Sequence, residues 1–176
     1  MTGNRFVHTL VLLCTLSAIG LSAQQIPTLH AKALDGTEIR LPRPGSTAPL
    51  LLMIGFSHQA SHDFDLWNKA LLSRYVGDPR VAYIELVDFA DVPSFIRSMV
   101  EHGMRREVHG AEQSHYVLFT QDEARWKEAA DFQEAGHASV LLATPEGQIV
   151  WRTEGPPRPQ TLAALQQKLA SPLPAR

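Results

Sequence analysis

The 176-residue chain carries 16 lysine and arginine side chains against 18 aspartates and glutamates, a formal charge of −2, and 44% of its residues are hydrophobic. With no basic cluster and only 7% aromatic residues, it lacks the cationic surface and stacking rings that nucleic-acid binding requires. A single cysteine, Cys14, excludes an intrachain disulfide framework.

Arg5 is followed by an apolar run over 6–20 and by small residues ending at Ala23, the order of charged, apolar and cleavage-site regions in a secretory signal peptide. Cleavage after Ala23 is expected to remove 1–23, Cys14 included, and to leave 24–176 as one domain in the periplasm or outside the cell. Loss of Arg5 leaves 15 basic side chains against 18 acidic, a charge of −3. The apolar run approaches the ~18 residues that mark a membrane-spanning helix. An uncleaved anchor is therefore the alternative, and membrane contact is expected only through this segment.

Two alternating runs, 27–34 and 37–41, flank Asp35-Gly36, which predicts a β-hairpin. Residues 42–49 are rich in Pro, Gly and Ser and read as a loop. The continuous apolar run 50–56 predicts a strand buried on both faces. Phe64, Trp67, Leu71 and Tyr75 then recur at helical spacing, with Asp63, Asp65, Asn68, Lys69 and Arg74 on the opposite face. Ser61 is expected to cap this helix, and Gly77-Asp78-Pro79 to end it.

A second strand is expected over 81–87, then a helix capped by Asp91 with Val92, Phe95, Ile96, Met99, Val100 and Gly103 on one stripe. Residues 105–114 are polar and aperiodic and read as an exposed loop. A short strand at 116–119, a helix over 123–132 capped by Asp122, a hairpin over 139–152 turning at Pro145-Glu146-Gly147, and a last helix with Leu162, Leu165 and Leu169 on one face complete the chain. This order predicts an α/β domain with a central mixed sheet, mainly parallel, flanked by helices and preceded by a β-hairpin. Trp67, Trp126 and Trp151 are expected as core or half-buried anchors. An exposed Trp126 or Trp151 would mark a partner surface.

Three segments carry a resemblance to the thioredoxin superfamily, in particular its exported peroxiredoxin-like, cytochrome-maturation and copper-delivery members: 27–41, 51–64, and Gly136-His-Ala-Ser-Val-Leu-Leu-Ala-Thr-Pro-Glu-Gly-Gln-Ile-Val. The resemblance implies a thioredoxin-like fold. It places the redox cysteines at Ser61 and Phe64 in the thioredoxin register, or at Gln59 and Asp63 in the copper-delivery register, and the cis-proline at Ala138. No thiol stands at any of these positions, and a cis bond before a non-proline residue costs roughly 2.5–4 kcal/mol. A trans bond is expected before Ala138. Gly55-Phe56-Ser57 with Trp67, the segment Phe95-Ile96-Arg97-Ser98, and Gly147-Gln-Ile-Val-Trp151 with Gly155 are also similar to the cysteine-independent mitochondrial ATP synthase assembly factors. That resemblance implies a chaperone-like role rather than catalysis.

Disulfide exchange needs a thiolate, and the Ser61 hydroxyl supplies none. Ser61 also lacks the Gly-x-Ser-x-Gly elbow of a hydrolytic nucleophile. His58 and His62, four apart, could join the adjacent Asp63 carboxylate or His137 as ligands for Cu(II), Ni(II) or zinc, the rival being solvated histidines on a polar loop. The sequence therefore predicts a redox-inactive, non-enzymatic, cofactor-free protein. Its expected docking face for a protein client or membrane-protein assembly partner is His58, Gln59, Ser61, His62, Asp63, His137 and Ala138. The alternatives are a periplasmic metal carrier using His58, His62 and His137, and a degenerate thiol-disulfide or peroxidase relative without turnover.

Overall fold

The computed structural model describes residues 24–75, 78–108 and 110–171; the expected signal peptide lies outside them. In chain order the elements are β1 (Leu29–Lys32), β2 (Glu38–Leu41), β3 (Leu50–Gly55), α1 (Ser61–Tyr75), β4 (Ala82–Asp88), α2 (Ser94–Glu107), β5 (Tyr116–Phe119), α3 (Glu123–Ala130), β6 (Ala138–Ala143), β7 (Ile149–Glu154) and α4 (Pro159–Ala170). Short 3-10 turns occupy His58–Ala60 and Gly110–Ser114.

The apolar run of β3 takes the centre of a five-stranded sheet ordered β5-β4-β3-β6-β7. Strands β3, β4 and β5 are mutually parallel, whereas β6 and β7 form an antiparallel hairpin against β3. Period-two alternation divides β3 between two cores. Leu50, Leu52 and Ile54 face Trp126 and Ala130 of α3 and the apolar side of the β1–β2 hairpin. Leu51 and Met53 face Phe64, Trp67, Leu71 and Tyr75 of α1, with Leu165 of α4 beside them. The Trp67 indole N–H donates to Gly155 O at 2.8 Å, tying α1 to the end of β7.

The β1–β2 hairpin turns at Asp35-Gly36 as expected and forms its own two-stranded sheet. It is fastened to the main sheet by Leu34 N–H on Tyr116 O at 2.9 Å and Ile26 N–H on Gly147 O at 2.9 Å. Gly147 has φ +93, and a Cβ there would stand 3.0 Å from Pro42. Both the left-handed backbone and the close packing call for glycine.

Several local expectations are corrected. Asp91 does not cap α2, which begins at Ser94 with no side-chain cap bond. Helix α2 extends through Arg105 and Arg106 to Glu107, and 110–114 is a 3-10 turn, so the expected loop is largely ordered structure. The apolar stripe of α2 does not pack as a unit: Phe95 is 86% exposed and Met99 69%. Asp122 precedes α3 in a left-handed conformation and makes no side-chain cap bond. Trp67 and Trp126 are fully buried and Trp151 is half-buried, which identifies them as anchors rather than a partner surface.

Candidate functional site

Register fixes the site. Gly55, the last residue of β3, pairs with Ala138, the first of β6, so the loop leaving β3 lies beside the loop entering β6. Phe64 of α1 packs directly over this junction, its ring 2.8 Å from where a Cβ on Gly55 would stand. Ser57 joins the two loops: its Oγ donates to Ala135 O and accepts from Gln59 N–H at 3.1 Å. Ser57 thus caps the 3-10 turn that runs into α1. This corrects the expected capping role of Ser61, which is an exposed residue with helical backbone angles.

Asp63 was expected on the polar face of its helix, but it is only 4% exposed. Its Oδ2 accepts the Ala138 N–H at 3.2 Å and lies 2.9 Å from Nδ1 of His137. The peptide bond before Ala138 is trans, as expected. A proline at 138 would have no N–H to give; the buried Asp63 carboxylate takes up the amide that such a proline would remove. His137 Nε2 also lies 3.7 Å from Glu134. The Asp63 hydrogen bond, reinforced by the charges of Asp63, Glu134 and Glu154, holds the imidazole pKa above its usual value.

The predicted face comes together in part. His58, Gln59, Ser61 and His62 are exposed, His137 is half-buried, and Asp63 and Ala138 are buried beneath it. The histidines do not converge. Among the described residues, no group of three His, Cys, Asp or Glu side chains could hold a metal ion. His58 instead lines a neighbouring cleft, and His137 is engaged with Asp63.

That cleft, about 760 Å³, opens between α1, α2 and the sheet, and sequence reading missed it. At its floor is Glu85 of β4, 2% exposed. The Tyr83 hydroxyl lies 2.9 Å from Asn68 Oδ1 and 3.2 Å from Glu85 Oε1. With one proton, the phenol can donate to only one of these oxygens. Burial raises the Glu85 pKa to about 7 against the bonds from Asn68 and Tyr83, and burial likewise pushes the Tyr83 phenol well up. A signal was available in the sequence: Glu85 interrupts an otherwise apolar strand interior, where an ionisable residue is costly.

No protein-family model matches the sequence, and no curated protein sequence matches it. Solved structures do match. The pneumococcal exposed lipoprotein thioredoxin from Streptococcus pneumoniae is 10% identical, with a TM-score of 0.56 over 81% of this chain and 98% of that one. A thiol-disulfide oxidoreductase from Bacteroides fragilis is 15% identical, with a TM-score of 0.53 over 82% and 98%. An uncharacterized conserved protein from Geobacillus kaustophilus is 16% identical, with a TM-score of 0.59 over 88% and 85%. The fold is therefore thioredoxin-like. Among the described residues, the corner between the loop leaving β3 and the loop entering β6 holds a carboxylate, an imidazole and hydroxyls, and no thiol.

Proposed function

We propose that this protein is an exported thioredoxin-fold binding protein without thiol-disulfide turnover, which docks a protein client on the corner built from 57–63 and 134–138. One observation carries the reading: the buried Asp63 carboxylate binds the Ala138 amide and His137, filling the corner with a fixed hydrogen-bond network. Disulfide exchange proceeds through a thiolate and a mixed disulfide, and the chain's one cysteine, Cys14, lies in the leader-like segment. The exposed surface of the corner is polar and rich in donors, with His58, Gln59 and His62 turned outward. Such side chains suit the polar rim of a protein interface better than a closed catalytic pocket.

The similarity to mitochondrial assembly factors extends this reading to a chaperone-like role with a membrane-protein client. Export to the periplasm or beyond is supported by the order of residues in 1–23 and by a fold shared with an exposed lipoprotein. Among the described residues no helix is long and apolar enough to cross a membrane.

The test is retention of exported-fraction proteins on the immobilised mature domain, compared with a triple variant His58→Ala, Gln59→Ala, His62→Ala. All three side chains are exposed, so the variant is expected to fold. A partner held by the wild type and lost from the variant is the expected result. Equal retention by both, or turnover of insulin disulfides by the wild type, would remove the basis for the proposal.

A further inference from the structure

The cleft over Glu85 adjoins the polar corner and shares Ser57, His58 and Ser61 with it. Its apolar wall is formed by Phe64, Val87, Val100, Met104 and Val108. The protein does not fill it: α2, which roofs it, has no buried residue. Apart from the His58 imidazole and the Tyr116 phenol, the ionisable side chains that line it are all carboxylic acids: Asp65, Glu85, Asp88, Glu107 and Glu112. No lysine or arginine among the described residues lines it, and none of the five carboxylates is in an ion pair among those residues. Four carboxylates around a largely apolar hollow, with Glu85 adding a fifth charge once it ionises, create a focused negative potential, and the volume falls within the ~300–1,000 Å³ of small-molecule sites.

We infer that this cleft binds an organic cation, an ammonium group on an apolar body, with the ammonium on Glu85 and the body between α2 and α1. An inorganic cation does not fit, because the carboxylates rim the hollow instead of converging on one point. An anionic ligand is repelled by the same five groups. A neutral apolar ligand would fill the walls but add no donor to Glu85, whose ionised carboxyl offers about four acceptor sites against at most one hydrogen bond each from Tyr83 and Asn68. Tyr83 and Asn68 each approach one Glu85 oxygen, and Glu85 and Asn68 both line the cleft, where a ligand meets them.

Binding is coupled to protons. With its pKa near 7, Glu85 is largely protonated in mildly acidic solution and must give its proton to solvent when the ammonium arrives. Other titratable groups facing the cleft or packed beside Glu85 are Tyr83 and Asp88 on its own strand, His58 on the 3-10 turn before α1, Asp65 on α1, Glu107 on α2, Glu112 on the second 3-10 turn and Tyr116 on β5, with the His115 ring 5.4 Å from that of Tyr83. The phenols stay protonated, since burial raises both pKa values. His115, whose pKa burial lowers, becomes neutral earlier. Affinity for the cation is therefore expected to rise with pH up to about 7 and then level off.

Calorimetric titration of the mature domain with 2-phenylethylamine, 2-phenylethanol and 3-phenylpropionate, three probes of one shape and different charge, tests the inference. The amine is expected to bind at least about tenfold more tightly than the alcohol (about 1.4 kcal/mol) and the carboxylate not at all. Glu85→Gln should bring the amine down to the level of the alcohol. Gly103→Leu places a side chain in the cleft from a position where a Cβ meets nothing within 4 Å, and should abolish binding of both with the circular-dichroism spectrum unchanged. Equal affinity for amine and alcohol, undiminished amine binding by Glu85→Gln, or no binding by the folded wild type would overturn the inference. None of these outcomes depends on a protein client at the 57–63 corner.

Discussion

Replacing Glu85 by glutamine should make the protein more stable above neutral pH and leave it unchanged in acid. Burial holds the carboxyl protonated, raising its pKa from 4.5 to about 7. A raised carboxyl pKa means that the folded state binds more protons than the unfolded state between those values, so stability falls as pH rises through the interval. At 1.36 kcal/mol per pH unit, the full cost of ionising Glu85 in place is about 3 kcal/mol, reached a little above pH 7. Glutamine has no proton to lose and keeps an oxygen for the Tyr83 hydroxyl. Urea unfolding of both proteins at about pH 4.5, 6 and 8, analysed by linear extrapolation, should give superimposable stabilities at the lowest pH. A gap should open to about 3 kcal/mol at the highest, or about 6–12 °C in Tm for a domain of this size. Taking the difference between the two proteins cancels the contributions of His115, His137 and Asp88, which also titrate. Parallel profiles, or a variant weakened equally at every pH, would refute the burial argument.

Asp63→Ala should cost about 1.5–3 kcal/mol, the range for a hydrogen bond to a charged group, and should return His137 toward its ordinary pKa of 6.5 in an NMR titration. Because the folded His137 pKa is raised, the stability it contributes is fully present below about 6.5 and disappears as pH climbs through the folded value; the Asp63→Ala profile should lack that step. Ala138→Pro removes the amide that Asp63 accepts and should destabilise by about 2 kcal/mol in denaturant unfolding; a neutral effect would mean that the bond is dispensable. Gly55→Ala sets a methyl 2.8 Å from the Phe64 ring and should cost about 1–3 kcal/mol by the same measurement.

The strands were legible because their burial is symmetric or alternating. The run at 50–56 could only be a central strand, and Asp35-Gly36 could only be a turn between its two neighbours. Periodicity also gave the buried face of α1, but it misplaced Asp63, because spacing along a helix says nothing of a loop 74 residues away that comes to rest on it. The capping residue was lost to chemical degeneracy: Ser57 and Ser61 are both good caps, and Ser57 takes the role by accepting the Gln59 N–H at the start of the 3-10 turn that leads into α1. Helix α2 defeated pattern reading twice. Its charged end, Arg105 to Glu107, resembled a loop, and its apolar stripe implied burial where Phe95 and Met99 face solvent. The cleft beneath it belongs to tertiary structure alone, assembled from α1, α2, β4, β5, the end of β3 and both 3-10 turns.

The claim that the cysteine-free corner is a client-docking surface is tested most directly by site-specific photo-crosslinking in exporting cells. A photoreactive side chain at exposed Gln59 is compared with one at exposed Gln166 on α4. The account predicts a discrete adduct from position 59 that is absent from position 166 and persists when Cys14 is replaced. The same adducts from both positions, none from position 59, or an adduct that vanishes with Cys14 would contradict it.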